Sequence, residues 1–155
     1  MAKIKTGIIG TGFIGPAHVE ALRRLGSVDV VAVAERGQEL AEAKAKSLSI
    51  PKAYGDYKAL LADPEIQVVH NCTPNHLHFP ITKDIVAAGK HVVSEKPLAM
   101  NSAESRELVR LAKEAGVVHA INFNYRYMPL VQHAHQMFVA AGDVVQRRHH
   151  HAHPG

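Results

Sequence analysis

Short runs of apolar and β-branched residues alternate along the chain with segments whose apolar positions recur every three or four residues. The runs predict strands near Ile4–Ile9, Val28–Ala34, Lys52–Tyr54, Gln67–Cys72, His91–Ser94 and Val117–Ile121. The segments between them predict helices at about Ile14–Leu25, Gln38–Leu48, Tyr57–Ala62, His76–Ala88 and Ser102–Ala115. Alternation of this kind is typical of βαβ units, so we expect an α/β protein with a doubly wound, mostly parallel sheet.

The helix predicted at Ser102–Ala115 carries signals at both ends. Asn101 and Glu104 have the spacing of a capping box, and Gly116 follows the last predicted turn. After Ile121 the chain becomes polar and aromatic, and Leu130–Ala140 predicts one further helix. Residues 122–155 are too few for a second independent sheet.

Charge and composition narrow the class of protein. The 18 Lys and Arg exceed the 14 Asp and Glu only slightly and are scattered among them, which argues against a nucleic-acid surface. The single cysteine, Cys72, has no partner for a disulfide, and no apolar run approaches the roughly 18 residues of a membrane span. We therefore expect a cytoplasmic protein that binds neither nucleic acid nor membrane.

A glycine-rich turn follows the first predicted strand. Its residues are Gly10, Thr11, Gly12, Phe13, Ile14 and Gly15, a GxGxxG sequence that leads into a predicted helix. In such a turn the first glycine permits the tight bend, the second lets a pyrophosphate approach, and the third lets the helix pack near the strand. The helix N-terminus then offers N–H groups and a positive dipole to phosphates. We predict that these six residues bind a dinucleotide in a Rossmann-like fold; the alternative is that the glycines serve only packing.

Glu35 ends the second predicted strand about 20 residues after Gly15, the spacing of an acid that accepts hydrogen bonds from the adenosine ribose. Such an acid repels the 2′-phosphate of NADP, so we expect NAD as the cofactor. Arg36 leaves NADP open, because a guanidinium is able to pair with that phosphate or to stack on adenine. The alternative for Glu35 is a solvated residue at a strand end.

Two more segments follow later strands, at the edge where open parallel sheets place their ligands. Thr73, Pro74, Asn75 and His78 belong to the first, and Asn75 is also a candidate N-cap for the next helix. His76 and His78 are two apart and would point in different directions on a helix, with no third ligand nearby, so no zinc site is expected.

Lys96 stands between Glu95 and Pro97 at the end of the next predicted strand. A lysine held rigidly beside a cofactor cleft, with its pKa adjusted by its surroundings, is a candidate for proton transfer. The alternative is an exposed Glu–Lys pair at a turn.

Together these motifs resemble a known family. The glycine turn, Glu35, the segment from Cys72 to His78, Glu95-Lys96-Pro97 and the segment from Asn122 to Pro129 are similar in order and spacing to the N-terminal part of Gfo/Idh/MocA-type oxidoreductases. This is the family of glucose–fructose oxidoreductase and inositol dehydrogenase. The resemblance covers residues 3–130, and it implies a dinucleotide-binding Rossmann domain at residues 1–121, followed at 122–155 by the start of a truncated, α+β substrate domain.

The resemblance also implies an activity, the NAD(P)-dependent transfer of hydride between nicotinamide and a secondary alcohol of a sugar or cyclic polyol. Lys96 would position the hydroxyl and take part in proton transfer, and the Lys96–Pro97 bond would be cis. Around the nicotinamide, the resemblance implies contacts from Pro74, Asn75 and His78 on the ring and ribose side, from Glu95 beside the ribose, and from Arg126 on the hinge side.

One departure from the family is large. Its second domain supplies an Asp and a His to the catalytic set, whereas here Asp143 is followed four residues later by Arg147, and no Asp-x-x-x-His segment follows Arg126. Misplacement of reacting groups by about 1 Å costs on the order of 100-fold in rate. We therefore expect the 155 residues to bind dinucleotide weakly and to turn over polyols far more slowly than a full-length relative. A non-catalytic NAD(H)-sensing module is the alternative, which the retention of Lys96 disfavours.

The C-terminal residues add two expectations. His149, His150, His151 and His153 would bind Ni²⁺ or Zn²⁺ only adventitiously, so we expect no physiological metal site. Without a partner sheet the apolar side chains between Phe123 and Phe138 would be exposed, so we expect this segment to be mobile or buried against another copy in a homo-oligomer. The side chains concerned are Phe123, Tyr125, Tyr127, Leu130 and Phe138.

Overall fold

The computed structural model describes the backbone of residues 2–150 and the side chains of residues 2–140. Within these residues the strands are β1 (Ile4–Ile9), β2 (Val28–Ala34), β3 (Lys52–Tyr54), β4 (Val68–Asn71), β5 (His91–Ser94) and β6 (His119–Ile121). The α-helices are α1 (Gly15–Arg24), α2 (Gln38–Ser47), α3 (Tyr57–Ala62), α4 (His78–Ala87), α5 (Ser102–Ala115) and α6 (Pro129–His150). The predicted alternation of strands and helices is confirmed.

Two predicted helices differ from the structure by two residues or more at one end. The helix expected from His76 begins instead as a single 3-10 turn at Asn75–Leu77, and α4 starts at His78. The last helix runs to His150, beyond the predicted end at Ala140. A second 3-10 turn, Asn124–Tyr127, precedes it.

The strands form one parallel sheet in the order β3-β2-β1-β4-β5-β6. The chain builds outward from β1 in one direction, then returns to place β4 on the other side of β1. This reversal is the topological switch point, where the loops after β1 and β4 diverge and leave a crevice at the carboxyl ends. The predicted doubly wound fold is confirmed.

Apolar residues cover both faces of the sheet, as expected for a parallel sheet with helices on each side. Ile8 packs in one buried cluster with Val19 and Leu22 of α1. Its neighbour Ile9 points to the opposite face, where the second cluster includes Leu60 of α3 and Ile85 of α4. The period of two along β1 therefore sends successive side chains into different cores.

The predicted caps of α5 are both present. The Asn101 side chain accepts the N–H of Glu104 at 2.9 Å, and the Glu104 carboxylate accepts the N–H of Met100 at 3.1 Å. Gly116 ends the helix in the left-handed region, with φ of 67°. The bond to Asn101 satisfies an N–H group that the helix itself leaves without a partner, and the bond from Met100 fixes the chain just before the helix.

The chain divides into two compact units, Met1–Asn122 and Phe123–Gly155. The sheet and helices α1 to α5 belong to the first unit, and α6 with its preceding 3-10 turn belongs to the second. The apolar side chains expected to be exposed in the second unit are exposed, among them Tyr127 at 73% and Leu130 at 82%. Among the described residues, no helix combines the length and apolarity needed to cross a membrane.

Candidate functional site

The loops after β1, β2, β4, β5 and β6 share the carboxyl edge of the sheet, because all these strands are parallel. The first residue of each of these five loops donates its N–H to a carbonyl of the neighbouring strand, so the ladder extends into the loops. These bonds join Gly10 to Ala34, Glu35 to Tyr54, Cys72 to Ile9, Glu95 to Asn71 and Asn122 to Ser94, at N···O distances of 2.9–3.0 Å. Most of the candidate residues are thereby brought together at one edge.

The three glycines of the turn after β1 have different surroundings. Gly10 has a φ of 85°, and a Cβ there would lie 2.9 Å from the carbonyl oxygen of Cys72. A Cβ on Gly15 would overlap the carbonyl oxygen of Gly10. Around Gly12 nothing lies within 4 Å of the position of a Cβ. Packing therefore requires Gly10 and Gly15, whereas Gly12 faces open space.

Backbone donors surround that space. Within the described part of the chain, the N–H groups of Gly12, Phe13 and Ile14 donate to no backbone carbonyl. They directly precede α1, a helix of 10 residues with no acidic side chain in its first turn. A helix start with N–H groups of this kind favours an anion such as a phosphate. The side chain of Phe13 is 98% exposed, so its backbone rather than its ring belongs to the turn.

Glu35 contacts the glycine turn directly. Its carboxylate oxygen Oε1 accepts the N–H of Thr11, and it accepts the Thr11 hydroxyl at 2.5 Å. Thr11 is completely buried, so it reaches a ligand only through Glu35. Glu35 itself is partly exposed, and Arg36 beside it is exposed. The solvated strand end considered as the alternative for Glu35 does not describe this carboxylate, because the turn orients it.

The loop after β4 is shaped by buried Asn71. Its side-chain oxygen accepts the hydroxyl of Thr73 at 2.7 Å, and its amide donates to the Thr82 hydroxyl at 3.0 Å. The prediction that Asn75 caps the following helix is wrong. Asn75 starts the 3-10 turn, and α4 has Leu77 at its N-cap without a side-chain bond, because the carbonyl of Pro74 accepts the Leu77 N–H locally. Pro74 and Asn75 are both exposed at the edge.

His78, which the resemblance places on the nicotinamide side of the cleft, has a buried ring. The ring is buried, with 1% of the residue exposed. Its Nδ1 lies 2.5 Å from the carbonyl oxygen of Pro97 and its Nε2 lies 2.8 Å from that of Thr73. His78 therefore joins the loop after β4 to the loop after β5, and its predicted place on the nicotinamide side of the cleft stays a prediction.

Glu95 is also buried, at 5% exposure, and it lies in a polar cluster rather than at the surface of a cleft. Its oxygen Oε1 accepts the Asn122 amide and lies 2.8 Å from Nε2 of His18, and Oε2 accepts the N–H of Lys96 at 3.1 Å. Protein donors therefore use both carboxylate oxygens, and the place of Glu95 beside the nicotinamide ribose stays a prediction.

The charge state of this cluster follows from its bonds. Burial alone would raise the pKa of the Glu95 carboxyl, but its three hydrogen-bond donors outweigh burial and hold the pKa below its ordinary value. Nδ1 of His18 lies 2.8 Å from Nδ1 of His70. Burial, together with neighbouring His18, lowers the pKa of His70 to about 4, so His70 is neutral at pH 7.

Lys96 combines a fixed backbone with an exposed side chain. Its N–H is held by Glu95, and its bond to Pro97 is cis, as the family resemblance implied. The Pro97 carbonyl is held in turn by His78. The exposed Glu–Lys turn considered as the alternative describes the lysine side chain but not Glu95, which is buried.

The sequence interpretation missed His18, His70, Asn71 and Asn122. A signal was present for His18, which lies directly beside Val19 on the buried face of α1. His70 and Asn71 stand at the end of an apolar strand, where polar side chains often serve a site.

Arg126, a predicted site residue, lies in the second compact unit.

Among the described side chains, no three His, Cys, Asp or Glu are grouped so that they could hold a metal ion. The side chains of His149, His150, His151 and His153 lie outside the described residues.

The first unit fits a dinucleotide on two observations. Gly12 leaves open the space in front of the helix N-terminus, and the turn orients a partly exposed carboxylate at the end of β2. A family model for oxidoreductases with an NAD-binding Rossmann fold, Gfo/Idh/MocA, matches residues 4–123. The chain belongs to the Gfo/Idh/MocA family. The expected family and its Rossmann-like fold are thereby confirmed.

Relatives in this family carry dehydrogenase names. The chain is 40% identical over 144 residues to a trans-1,2-dihydrobenzene-1,2-diol dehydrogenase of Xenopus laevis, covering 90% of this chain and 44% of that protein. It is 36% identical over 131 residues to D-xylose 1-dehydrogenase (NADP(+)) 2 of Haloferax volcanii, covering 84% and 40%.

Two solved structures are also similar to this chain. An NAD binding oxidoreductase from Klebsiella pneumoniae superposes with a TM-score of 0.85 at 39% identity, over 92% of this chain and 40% of that one. Levoglucosan dehydrogenase in complex with NADH and levoglucosan superposes with a TM-score of 0.79 at 35% identity, over 83% and 37%. The chain thus spans about two fifths of the length of these relatives.

Proposed function

We propose that this chain is the NAD-binding part of a dehydrogenase that transfers hydride between nicotinamide and a secondary alcohol of a sugar or cyclic polyol. The observation that carries the proposal is the pairing of open Gly12 with the oriented carboxylate of Glu35. Family membership supports the reaction class, and the dehydrogenase names of relatives support the substrate class.

The residues divide the binding between phosphate and ribose. The N–H groups at Gly12, Phe13 and Ile14 would hold the pyrophosphate at the start of α1. Glu35, oriented by Thr11, would accept hydrogen bonds from the ribose hydroxyls and disfavour a 2′-phosphate. Arg36 is exposed beside it and would weaken this discrimination by pairing with that phosphate. We therefore propose NAD as the preferred cofactor and NADP as a weaker one.

Lys96 is the proposed proton acceptor at the reacting end. Bound NAD⁺ supplies the hydride acceptor for the carbinol carbon. A neutral Lys96 amine would accept the hydrogen bond of the substrate hydroxyl and then its proton, so that the hydroxyl becomes a carbonyl and the amine becomes an ammonium. The backbone bonds at Lys96 and Pro97 limit where this side chain starts. Pro74 and Asn75 are proposed to border the nicotinamide from the exposed loop after β4.

We propose the same division of the chain as the resemblance implies. Residues 1–121 would bind the nucleotide, and residues 122–155, including Arg126, would belong to the substrate side. A binding module without chemistry is the second candidate; such a module needs the glycine turn but not Lys96, so the presence of Lys96 beside Glu95 favours the dehydrogenase. Substrate turnover by the 155 residues is expected to be far below that of a longer relative.

Calorimetric titration with NAD and NADP tests the proposal. We expect NAD to bind several-fold more tightly than NADP. Gly12→Val should weaken both nucleotides at least about 100-fold, because its side chain would occupy the phosphate space. Glu35→Ala should weaken NAD about 10-fold and leave NADP unchanged or tighter. Binding that survives Gly12→Val would contradict the proposed site, and equal losses of NAD and NADP in Glu35→Ala would contradict the role of Glu35.

A further inference from the structure

Three ring and carboxylate groups form a continuous chain beneath the edge of the sheet. Glu95 Oε1 lies 2.8 Å from His18 Nε2, and His18 Nδ1 lies 2.8 Å from His70 Nδ1. The two imidazole rings meet edge to face, with centroids 5.1 Å apart at 82°. The three groups come from three elements, namely β5's following loop, α1 and β4.

Hydrogen-bond accounting allows two protonation states with the same contacts. In the first, neutral His18 donates from Nε2 to Glu95 and accepts at Nδ1 the N–H of His70. In the second, doubly protonated His18 donates to both neighbours, and His70 accepts at Nδ1 and carries its own proton on Nε2. The two states differ by one proton, and no heavy atom needs to move between them.

Nε2 of His70 offers the proton a point of entry from solvent. Nε2 of His70 has no hydrogen-bond partner among the described residues, yet no buried polar side-chain atom in that part of the chain lacks a partner. The 8% exposure of His70 therefore includes this atom. A proton taken up at Nε2 lets the proton on Nδ1 pass to His18, so His70 ends neutral in the other tautomer.

We propose that His18 and His70 are positioning residues of the nucleotide site, and that with Glu95 they form a buried relay that takes up a proton when the nucleotide binds. This proposal rests on the proposed nucleotide binding. His18 lies in the first turns of α1, the helix whose start would hold the phosphates, and Glu95 holds the backbone of Lys96. The relay therefore links the phosphate end of the site to the proton-transfer end.

Charge gives the direction of the coupling. Without the extra proton the relay carries the single negative charge of Glu95, and with it the relay is neutral. A bound pyrophosphate is an anion at the same edge, so it favours the neutral relay. By linkage, nucleotide should bind about fourfold more tightly to the protonated relay, which corresponds to uptake of about 0.3 proton at the midpoint.

The other titratable groups around the relay do not supply this proton. Cys72 follows β4 and belongs to the same apolar cluster as Val19 of α1. Burial raises the pKa of its thiol, so the thiol remains protonated. Asn122, the other side chain on Glu95, does not titrate. His119 of β6 contacts Ser94 instead, and burial lowers its pKa. His76 and the exposed Lys96 lie outside the relay, and the variant His76→Gln tests the first of them.

Nitrogen NMR of the imidazole rings tests the relay without nucleotide. In a pH titration we expect His18 to become doubly protonated while His70 changes from its Nδ1–H to its Nε2–H tautomer, both at one midpoint. Two rings that served only packing would titrate separately or not at all. A His70 that keeps one tautomer throughout, or that becomes doubly protonated before His18, would overturn the proposal.

Calorimetry of NADH binding in two buffers of different ionisation enthalpy tests the coupling. The wild-type chain should take up about 0.3 proton per NADH at the NMR midpoint. His18→Gln should take up none, because glutamine places an N–H near the former Nε2 and still donates to Glu95 but does not ionise. His76→Gln, an exposed position outside the relay, is the matched control and should keep the uptake.

The outcomes separate the two proposals. If NADH does not bind at all, the proposed function fails, while the NMR titration still decides whether the relay exists. If NADH binds with equal enthalpy in both buffers across the pH range of that titration, nucleotide binding stands and the coupling is overturned. Unchanged uptake in a folded His18→Gln chain also overturns it. Should that variant fail to fold, the wild-type NMR titration and the two-buffer comparison decide the proposal.

Discussion

The half of the sheet edge formed by β1 and β2 is built mainly from backbone, whereas the half formed by β4, β5 and β6 is built from buried polar side chains. At β1 and β2 the space for a ligand exists because Gly12 has no side chain, and its one oriented charge, Glu35, is partly exposed. At β5 the corresponding carboxylate, Glu95, is buried and bonded on both oxygens.

Glu35 and Glu95 both follow parallel strands, yet they serve different purposes. Glu35 keeps contact with solvent, so a ligand is able to replace water there at little cost. Glu95 has exchanged solvent for protein donors, and removing it would leave those donors buried without a partner. The first half is suited to binding a ligand, and the second to holding the loops that meet it.

The largest expected effect comes from making the same substitution in both halves. Glu95→Ala should lower the free energy of unfolding by about 3–5 kcal/mol, because it leaves a buried histidine and amide unpaired. Glu35→Ala, the matched control, should lower it by less than about 1 kcal/mol, since water is able to reach Thr11 and its neighbours. Urea denaturation measures both, and equal losses would end the distinction between the halves.

Acid should lower the stability of the protein through His70, which belongs to the half of the edge with buried polar side chains. The pKa of His70 is about 4 in the folded protein and about 6.5 in the unfolded chain, so the unfolded chain binds a proton first as the pH falls. The free energy of unfolding should therefore drop by about 2–3 kcal/mol between pH 6.5 and 4. Denaturation at a series of pH values checks this.

His70→Asn supplies the control for that pH series. Asparagine does not titrate and still places an amide near His18. In this variant the decrease in the free energy of unfolding should therefore shrink to the part that carboxylates cause. The lowered pKa of Glu95 also stabilises the folded protein. That contribution is lost at lower pH, as the Glu95 carboxylate becomes protonated. A curve that is unchanged in His70→Asn would contradict the assignment to His70.

The glycines should separate packing from binding within the backbone half. Gly15→Ala should cost about 1–3 kcal/mol of stability, because its Cβ would meet the carbonyl oxygen of Gly10. Gly12→Ala meets nothing within 4 Å, so its stability should stay within about 0.5 kcal/mol of the wild type while NAD affinity falls. Thermal unfolding and calorimetry of the two variants distinguish these outcomes.

The smallest expected effects come from two threonines. Thr73→Val removes the hydroxyl donor to Asn71 and should lower the free energy of unfolding by about 1 kcal/mol. Thr11→Val removes the hydroxyl donor to Glu35 but leaves the Thr11 N–H in place, so NAD affinity should fall about threefold with a smaller change in stability. If Thr73→Val changes affinity more than stability, the assignment of roles to the two halves is reversed.

Much of this arrangement was predictable because its signals are local. The period of the apolar residues predicted every strand, and β1, β2, β3 and β5 have the predicted bounds. The capping residues Asn101 and Glu104 determine where α5 begins through bonds between near neighbours. Asn75 shows the limit of such reasoning, since a local backbone bond at Pro74 replaced the side-chain cap that its residue type suggested.

The amino-acid sequence by itself determined the doubly wound fold, the glycine turn and the acid at the end of β2, because each depends on residues that are close along the chain or on a repeating period. Only the tertiary structure decided that Glu95, His18, His70 and Asn122 meet in one cluster and that the ring of His78 is buried. Those residues lie up to 104 positions apart, as between His18 and Asn122, and contact only when parallel strands bring their ends together. The spacing of residues along the chain does not predict such a contact, because strand order and register determine which strand ends meet.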